Sequence, residues 1–249
     1  MRRGIVVSIL LVLVLAGGVV ADEATTNWQA LILEDFDDPD SRWIVRGGKY
    51  LAVEDGERNY EFPFDYQIVS DVWPEAMGRP DSDTPGVLGV QASFTRRGYN
   101  YLEFIPVEAE DGPDGEPIPR GISIPGRPAT IDLWAWGANY NYYLEVQVRD
   151  HRGVVHTFKI DDMGYGGWRN LEARIPNYIP RAVRFVPQRR VLELVKIVLW
   201  TRPDEAVDGF HFYLDQIKVL TDVFESSFDG EGLADPDFVQ QTWDAEQRQ

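Results

Sequence analysis

The chain predicts an all-β fold, an antiparallel β-sandwich of the jelly-roll kind, and three observations carry that prediction. Short runs of alternating apolar and polar residues recur at roughly 8–12 residue spacing, as in Leu144–Val148 and Val154–Ile160. Turn-forming Gly, Pro, Asp and Asn punctuate the runs, as in Asp37-Asp38-Pro39-Asp40 and Asp150-His151-Arg152-Gly153. Helical periodicity is scarce, with one short helix expected in Tyr178–Phe185 or near Asp235–Glu246.

The elements follow in order. Asp22–Ala30 is a polar lead, Leu31–Phe36 a first strand, and Trp43–Val53 a second stretch with Gly47-Gly48 at a turn. Tyr66–Trp73 is strand-like, and Pro74–Pro85 is a long loop. Val87–Thr95 and Asn100–Ile105 are strands separated by Arg96-Arg97-Gly98, which suggests a hairpin turn. Pro106–Arg120 is acidic and Pro-rich with almost no core-forming residues; it reads as a solvated excursion, because strand patterning resumes at Gly121. Leu144–Val148, the turn at Asp150–Gly153 and Val154–Ile160 form the clearest hairpin. Gly164–Gly167 bends the chain before Trp168, Leu171 and Ile175, and Leu192–Trp200 and Phe210–Leu220 supply two strongly apolar late strands.

The ends differ from this pattern. Basic Met1-Arg2-Arg3, an apolar run from Gly4 to Leu15 and the small residues Ala16–Ala21 read as a secretory signal peptide over 1–21, cut after Ala21. The run is shorter than the ~20 residues a membrane-spanning helix needs. A single sandwich domain is expected over 22–224, followed by an acidic, Gln-rich tail over 225–249. Two readings of the tail stay open, a flexible extension or an arm that docks on a neighbour through Phe228, Leu233, Phe238, Val239 and Trp243. There is no cysteine, so stability must come from core burial, ligand binding or assembly.

Charge narrows the partners. The net charge of −17 becomes −19 once Arg2 and Arg3 leave with the signal peptide. Such an acidic protein suits neither nucleic acid nor an anionic membrane surface. Between Arg149 and Arg202, however, eleven Lys or Arg face five acids. Two readings fit this local excess: a mixed solvated surface, or a basic patch (Arg169, Arg174, Arg181, Arg184, Arg189, Arg190) that meets an acidic neighbour.

Residues with the spacing that catalysis needs are missing. His151, His156 and His211 show no zinc spacing, and there is no GxSxG, phosphate-cradling Gly loop or cysteine nucleophile. Abundant carboxylates alone do not mark a glycosidase pair, so no enzyme activity is expected. Glu34 and Asp35 follow the first strand and Asp215 lies within the last, strands whose ends neighbour each other in sandwiches; together they suggest an oxygen site for a structural Ca²⁺, with no other cofactor expected. Aromatic residues crowd one region: Trp134, Trp136, Tyr140, Tyr142, Tyr143, Trp168 and Tyr178. Trp134 and Trp136, two apart in a strand, share a face. They either build the core or form, with Tyr140, a platform for sugar rings or a protein partner.

The segments WAWGANYNYYLEVQVRDHRGVVHTFKI, GWRNLEARIPNYIP and LELVKIVLWTRPDEAVDGFHFYLDQIKVLTD resemble the spirochaete flagellar filament outer-layer proteins, the FlaA sheath family. The resemblance covers most of the chain and is strongest over Ile122–Asp222. It implies an exported structural protein of the periplasmic flagellum that coats a core of FlaB-type flagellins, contributing to stiffness, shape and motility. Core flagellins, neighbouring sheath subunits and glycans on the core are the partners it suggests, and the family transfers no catalytic residues. The alternative is a secreted carbohydrate-binding module acting through Trp134, Trp136 or Tyr140, which rests on the likeness of jelly-roll and galactose-binding architectures alone.

Overall fold

A computed structural model describes residues 26–38, 41–52, 63–183, 190–224 and Trp243, with 182, 183 and 190 described by backbone alone. The expected signal peptide, Arg184, Arg189 and the tail apart from Trp243 lie outside these residues. Among the described residues thirteen strands form: β1 (Trp28–Glu34), β2 (Trp43–Gly47), β3 (Asp65–Ser70), β4 (Gly86–Ala92), β5 (Tyr101–Pro106), β6 (Ile122–Ile124), β7 (Arg127–Ala138), β8 (Tyr143–Arg149), β9 (Val155–Asp162), β10 (Gly166–Arg174), β11 (Ala182–Val183), β12 (Arg190–Trp200) and β13 (Phe210–Asp222). A six-stranded sheet runs β10-β7-β13-β4-β3, with β1 on the far half of β13. A seven-stranded sheet runs β2-β5-β12-β8-β9, with β6 and β11 also paired to β12. Every pairing is antiparallel, so the protein is an all-β, two-sheet sandwich, as the alternation predicts.

The alternation sets which side chains face inward. In β8, Leu144, Val146 and Val148 are fully buried, while Tyr143, Glu145, Gln147 and Arg149 face away from the core. Between the sheets Phe104 of β5 meets Phe212 of β13 at 5.4 Å, and Phe94 stacks on Phe210 at 5.9 Å. Leu133, Leu194, Leu199 and Leu214 fill the space around them. Burying side chains of this size stabilises by roughly 1.5–3 kcal/mol each relative to leaving them exposed.

Three local expectations give way. Arg96-Arg97-Gly98 does not close a hairpin: β4 pairs with β3 and β13, and β5 pairs with β2 and β12. Both strands bury an apolar face in the same core, so the chain crosses from one sheet to the other, held by Phe94 N–H to Val207 O (2.8 Å) and Thr95 N–H to Tyr50 O (2.8 Å). At the first of the two places offered for a helix, Tyr178–Phe185, Ala182 and Val183 pair with Val191 and Arg190 as a short strand; the second, near Asp235–Glu246, lies outside the described residues apart from Trp243, which is helical. The polar lead already belongs to the sheet at Trp28, because Trp28–Ala30 pair with Asp222–Leu220.

The β8–β9 hairpin forms as expected, and its turn contains a buried carboxylate. Asp150 accepts the backbone N–H of Arg152 (2.8 Å) and Val154 (3.0 Å) and the Arg152 guanidinium (3.0 Å), with His156 Nε2 at 3.0 Å. Burial alone would raise its pKa, but these donors outweigh burial and hold the carboxyl well below the usual range.

Candidate partner-binding surface

Pairing across the six-stranded sheet places Gln67, Gly89, Tyr213, Trp136 and Trp168 in one row. The row faces away from the core, since its strand neighbours Leu88, Phe212 and Ala135 are buried inside. Trp136 meets Tyr213 edge-on at 5.4 Å, and Trp168 lies 6.4 Å from the same ring. Gly89 is what lets Tyr213 lie flat: a Cβ there would stand 2.9 Å from the ring. In the next rows Trp134 pairs with Asp215 and Asn170, and Asp132 joins Lys218 (3.2 Å) to Asn170 (2.9 Å).

A cleft of about 730 Å³ opens beside this row, lined by Trp136 and Trp168 together with Asp71, Val72, Trp73, Glu75 and Ala76. The sequence ends the β3 strand at Trp73, but the sheet ends at Ser70. Asp71 takes a left-handed conformation (φ 58°), its N–H donating to Pro85 O at 2.8 Å, and a 3₁₀ turn at Glu75–Met77 follows Pro74. These turns carry Trp73 off β3 to the aromatic row, with Arg79 over its ring at 5.6 Å. Nothing local in the sequence marks Trp73 or Tyr213 as part of this row. The parity of Tyr213 with Trp136 becomes visible only once the strand pairing is known.

The structure separates the residues that sequence reading grouped. Trp134 and Trp136 share the outer face, as their spacing predicts, and are not part of the core cluster. Tyr140 leaves that face: it stacks on Tyr142 at 5.2 Å, meets Phe210 at 6.1 Å and donates to Asp208 O at 3.1 Å, at one end of the sandwich. A three-residue platform of Trp134, Trp136 and Tyr140 therefore does not form, because Tyr140 lies beyond the end of β7 and turns inward.

The basic residues are likewise dispersed. Arg169 lies 4.5 Å over Tyr165 near the start of β10, Arg174 is exposed at its end, and Arg181 donates to Ile175 O (3.1 Å) and Asn177 Oδ1 (3.0 Å). Arg190 opens β12 in the opposite sheet. Five of the eleven cations between 149 and 202 are neutralised in place: Arg149 by Glu193, Arg152 by Asp150, Lys159 and Arg202 by Asp162, and Lys196 by Glu103. Of the acids that pair them only Glu103 lies outside this stretch, so most of the local excess remains, carried by cations spread over both sheets and their loops.

The three carboxylates read as a calcium site do not converge. Glu34 is buried with Oε1 accepting Phe36 N–H (2.9 Å) and Oε2 accepting Ser41 Oγ–H (2.6 Å) and the Trp43 indole (2.8 Å). Among the described residues no group of three or more His, Asp or Glu side chains is placed to hold a metal ion. Asp215 is buried in β13 and accepts Gln216 N–H at 2.7 Å. Burial, reinforced by the negative charges of Asp37 and Asp35, pushes its pKa up to about 8.

The fold and this face define a β-sandwich protein that presents an aromatic sheet surface, with chemistry suited to contact. The FlaA profile, described as flagellar filament outer layer protein, matches residues 68–229, from within β3 to beyond β13. The chain belongs to the flagellar filament outer layer protein FlaA family. It is 25% identical over 173 residues to a flagellar filament outer layer-like protein of Brachyspira hyodysenteriae, spanning 67% of this chain and 74% of that one. Among solved structures it is similar to the family 11 carbohydrate-binding module of the cellulosomal cellulase Lic26A-Cel5E of Clostridium thermocellum, with 12% identity, TM-score 0.37, and 78% and 95% of the two chains covered. A xylan-binding domain from carbohydrate-binding module family 22 is similar at 17% identity and TM-score 0.34, with 76% and 93% covered. No ligand is carried over at these similarities.

Proposed function

We propose that this chain is an exported, non-enzymatic subunit of the flagellar filament coat, laid on a core of FlaB-type flagellins in the periplasm and adding to filament stiffness and shape. The supporting observation is the family match, which spans nearly the whole sandwich from residue 68 onward. The outer aromatic row supplies a surface of the right chemistry, because Trp and Tyr give large rigid contact area at low entropic cost. Contact with the core is assigned to the part of this face around Trp134 and Tyr213. The basic residues Arg169, Arg174 and Arg181 take a rim role, since they do not form one patch.

Co-sedimentation of the purified chain with bare flagellar cores tests this reading at low and high salt, with free sugars as competitors. Saturable pelleting that salt weakens and sugars leave unchanged is the expected result. Absence of pelleting under every condition, with specific sugar binding in solution, would replace the coat role by that of a carbohydrate-binding module.

A further inference from the structure

The aromatic cleft carries a charge that its row alone does not explain. The segment 71–85 that supplies Asp71, Trp73 and Glu75 holds four acids (Asp71, Glu75, Asp81, Asp83) against Arg79. Asp71 and Glu75 are exposed at the cleft, and among the described residues neither is ion-paired. Indole faces beside carboxylates attract an organic cation, through the ring quadrupole and through charge.

A surface of opposite character projects elsewhere on the same chain. Where the chain crosses from β4 to β5, Arg96, Arg97 and Tyr99 are exposed, Tyr99 by 67%. Lys49 and Arg96 both lie against the exposed ring of Tyr50, at 5.9 and 5.7 Å. Among the described residues no carboxylate is paired with Lys49, Arg96 or Arg97, although the protein as a whole carries a net charge of −17. The knob lies off the end of β4, whereas the cleft sits on the outer face of the six-stranded sheet, against Trp136 of β7 and Trp168 of β10. One molecule therefore presents two different, complementary surfaces. Two unlike surfaces that meet between copies make a heterologous contact, which repeats into a ring or an open helical array.

We propose that the Asp71–Trp73–Glu75–Trp136–Trp168 cleft receives the Arg96–Arg97–Tyr99 knob of a second copy of this chain, giving head-to-tail contacts along the coat. The proposal rests on the coat reading above and assigns the contact between neighbouring subunits. In it the arginines lie against the indoles and the two carboxylates, and Tyr99 adds its ring to the aromatic row.

The test is sedimentation velocity of three chains at low salt: wild type, the cleft variant Asp71→Lys/Glu75→Lys, and the knob variant Arg96→Glu/Arg97→Glu. All substitutions are at exposed positions, and circular dichroism checks folding. Wild type is expected to associate as its concentration rises, each variant alone to associate about tenfold more weakly, and an equimolar mixture of the two variants to regain association. The mixture is the decisive arm, since each variant then offers the charge that the other lacks. Wild type that stays monomeric while still pelleting on cores, or a mixture no better than its parts, would overturn the contact and leave the coat role standing. Loss of core pelleting in the cleft variant without any self-association would put the core in the cleft and overturn the proposal. Wild type that self-associates but never pellets on cores would overturn the coat role alone.

Discussion

On the outer face of the seven-stranded sheet Trp200 donates its indole N–H to Glu145 at 2.8 Å, lies near Tyr143 and Tyr101, and is bordered by Arg202 and Lys159 over the Tyr143 ring. On the other side of the core, Trp134, Trp136 and Trp168 make no side-chain hydrogen bond among the described residues, and a cleft opens beside the latter two. Both faces are rich in indole and phenol rings. One has its polar atoms and charges paired within the molecule by Arg149–Glu193, Lys196–Glu103 and Arg202–Asp162. The other leaves donors and apolar area available. Aromatic content alone therefore does not mark a contact surface; the availability of the rings does.

The largest test of this contrast lies beneath both faces. Phe212→Ala removes the ring that meets Phe104 between the sheets and is expected to cost about 3–5 kcal/mol in urea denaturation. A cost under about 1 kcal/mol would show that the two faces do not share a packed core.

Asp215→Asn probes the buried support of the aromatic face. With a folded pKa near 8 against an ordinary 3.8, wild type keeps a proton that its unfolded state releases between these values. Stability therefore falls as pH rises from about 4 to about 8, and the full cost is present above pH 8. The Asn variant has no such titration, so its advantage should grow across that window to about 2 kcal/mol or more at pH 9. Equal urea midpoints for the two proteins at pH 5 and pH 9 would remove this assignment.

Trp136→Ala separates function from folding. Loss of the edge-on contact with Tyr213 should cost only about 0.5–1.5 kcal/mol, yet self-association at low salt should weaken by about tenfold or more. Self-association at wild-type strength would move the knob off this cleft. Glu193→Gln on the opposite face is the smallest change. It breaks an ion pair whose side chains are 41% and 33% exposed, worth roughly 0.2–1 kcal/mol, and pelleting should not change.

How much was legible in the sequence follows from how local each signal is. Alternation fixes side-chain parity within one strand, so Trp134 and Trp136 could be placed on one face, and the β8–β9 hairpin could be read with its turn. Which sheet a strand joins depends on distant partners, so the crossing at Arg96–Gly98 looked like a hairpin. Tyr140 looked like part of the platform because it follows closely in sequence, although Phe210 and Asp208 draw it inward. Net charge along a stretch is silent on position for a similar reason: Arg169 and Arg190 lie in strands of opposite sheets, and Lys196 meets Glu103 from a distant strand. The cleft was hidden because Trp73 meets Trp136 and Trp168 only across the folded sheet.

The two strands that come last along the chain are also the hubs of the two sheets. β12 borders β5, β6, β8 and β11, and β13 borders β1, β4 and β7. A nascent chain that has reached residue 189 holds the β8–β9, β7–β10, β3–β4 and β2–β5 pairs but nothing that joins them within either sheet. Native assembly must wait for the final segment, and its contacts span long sequence separations, as in Asn27 N–H to Asp222. Pairing over such separations is slow to form, which leaves an interval in which the chain can still be handled as a thread.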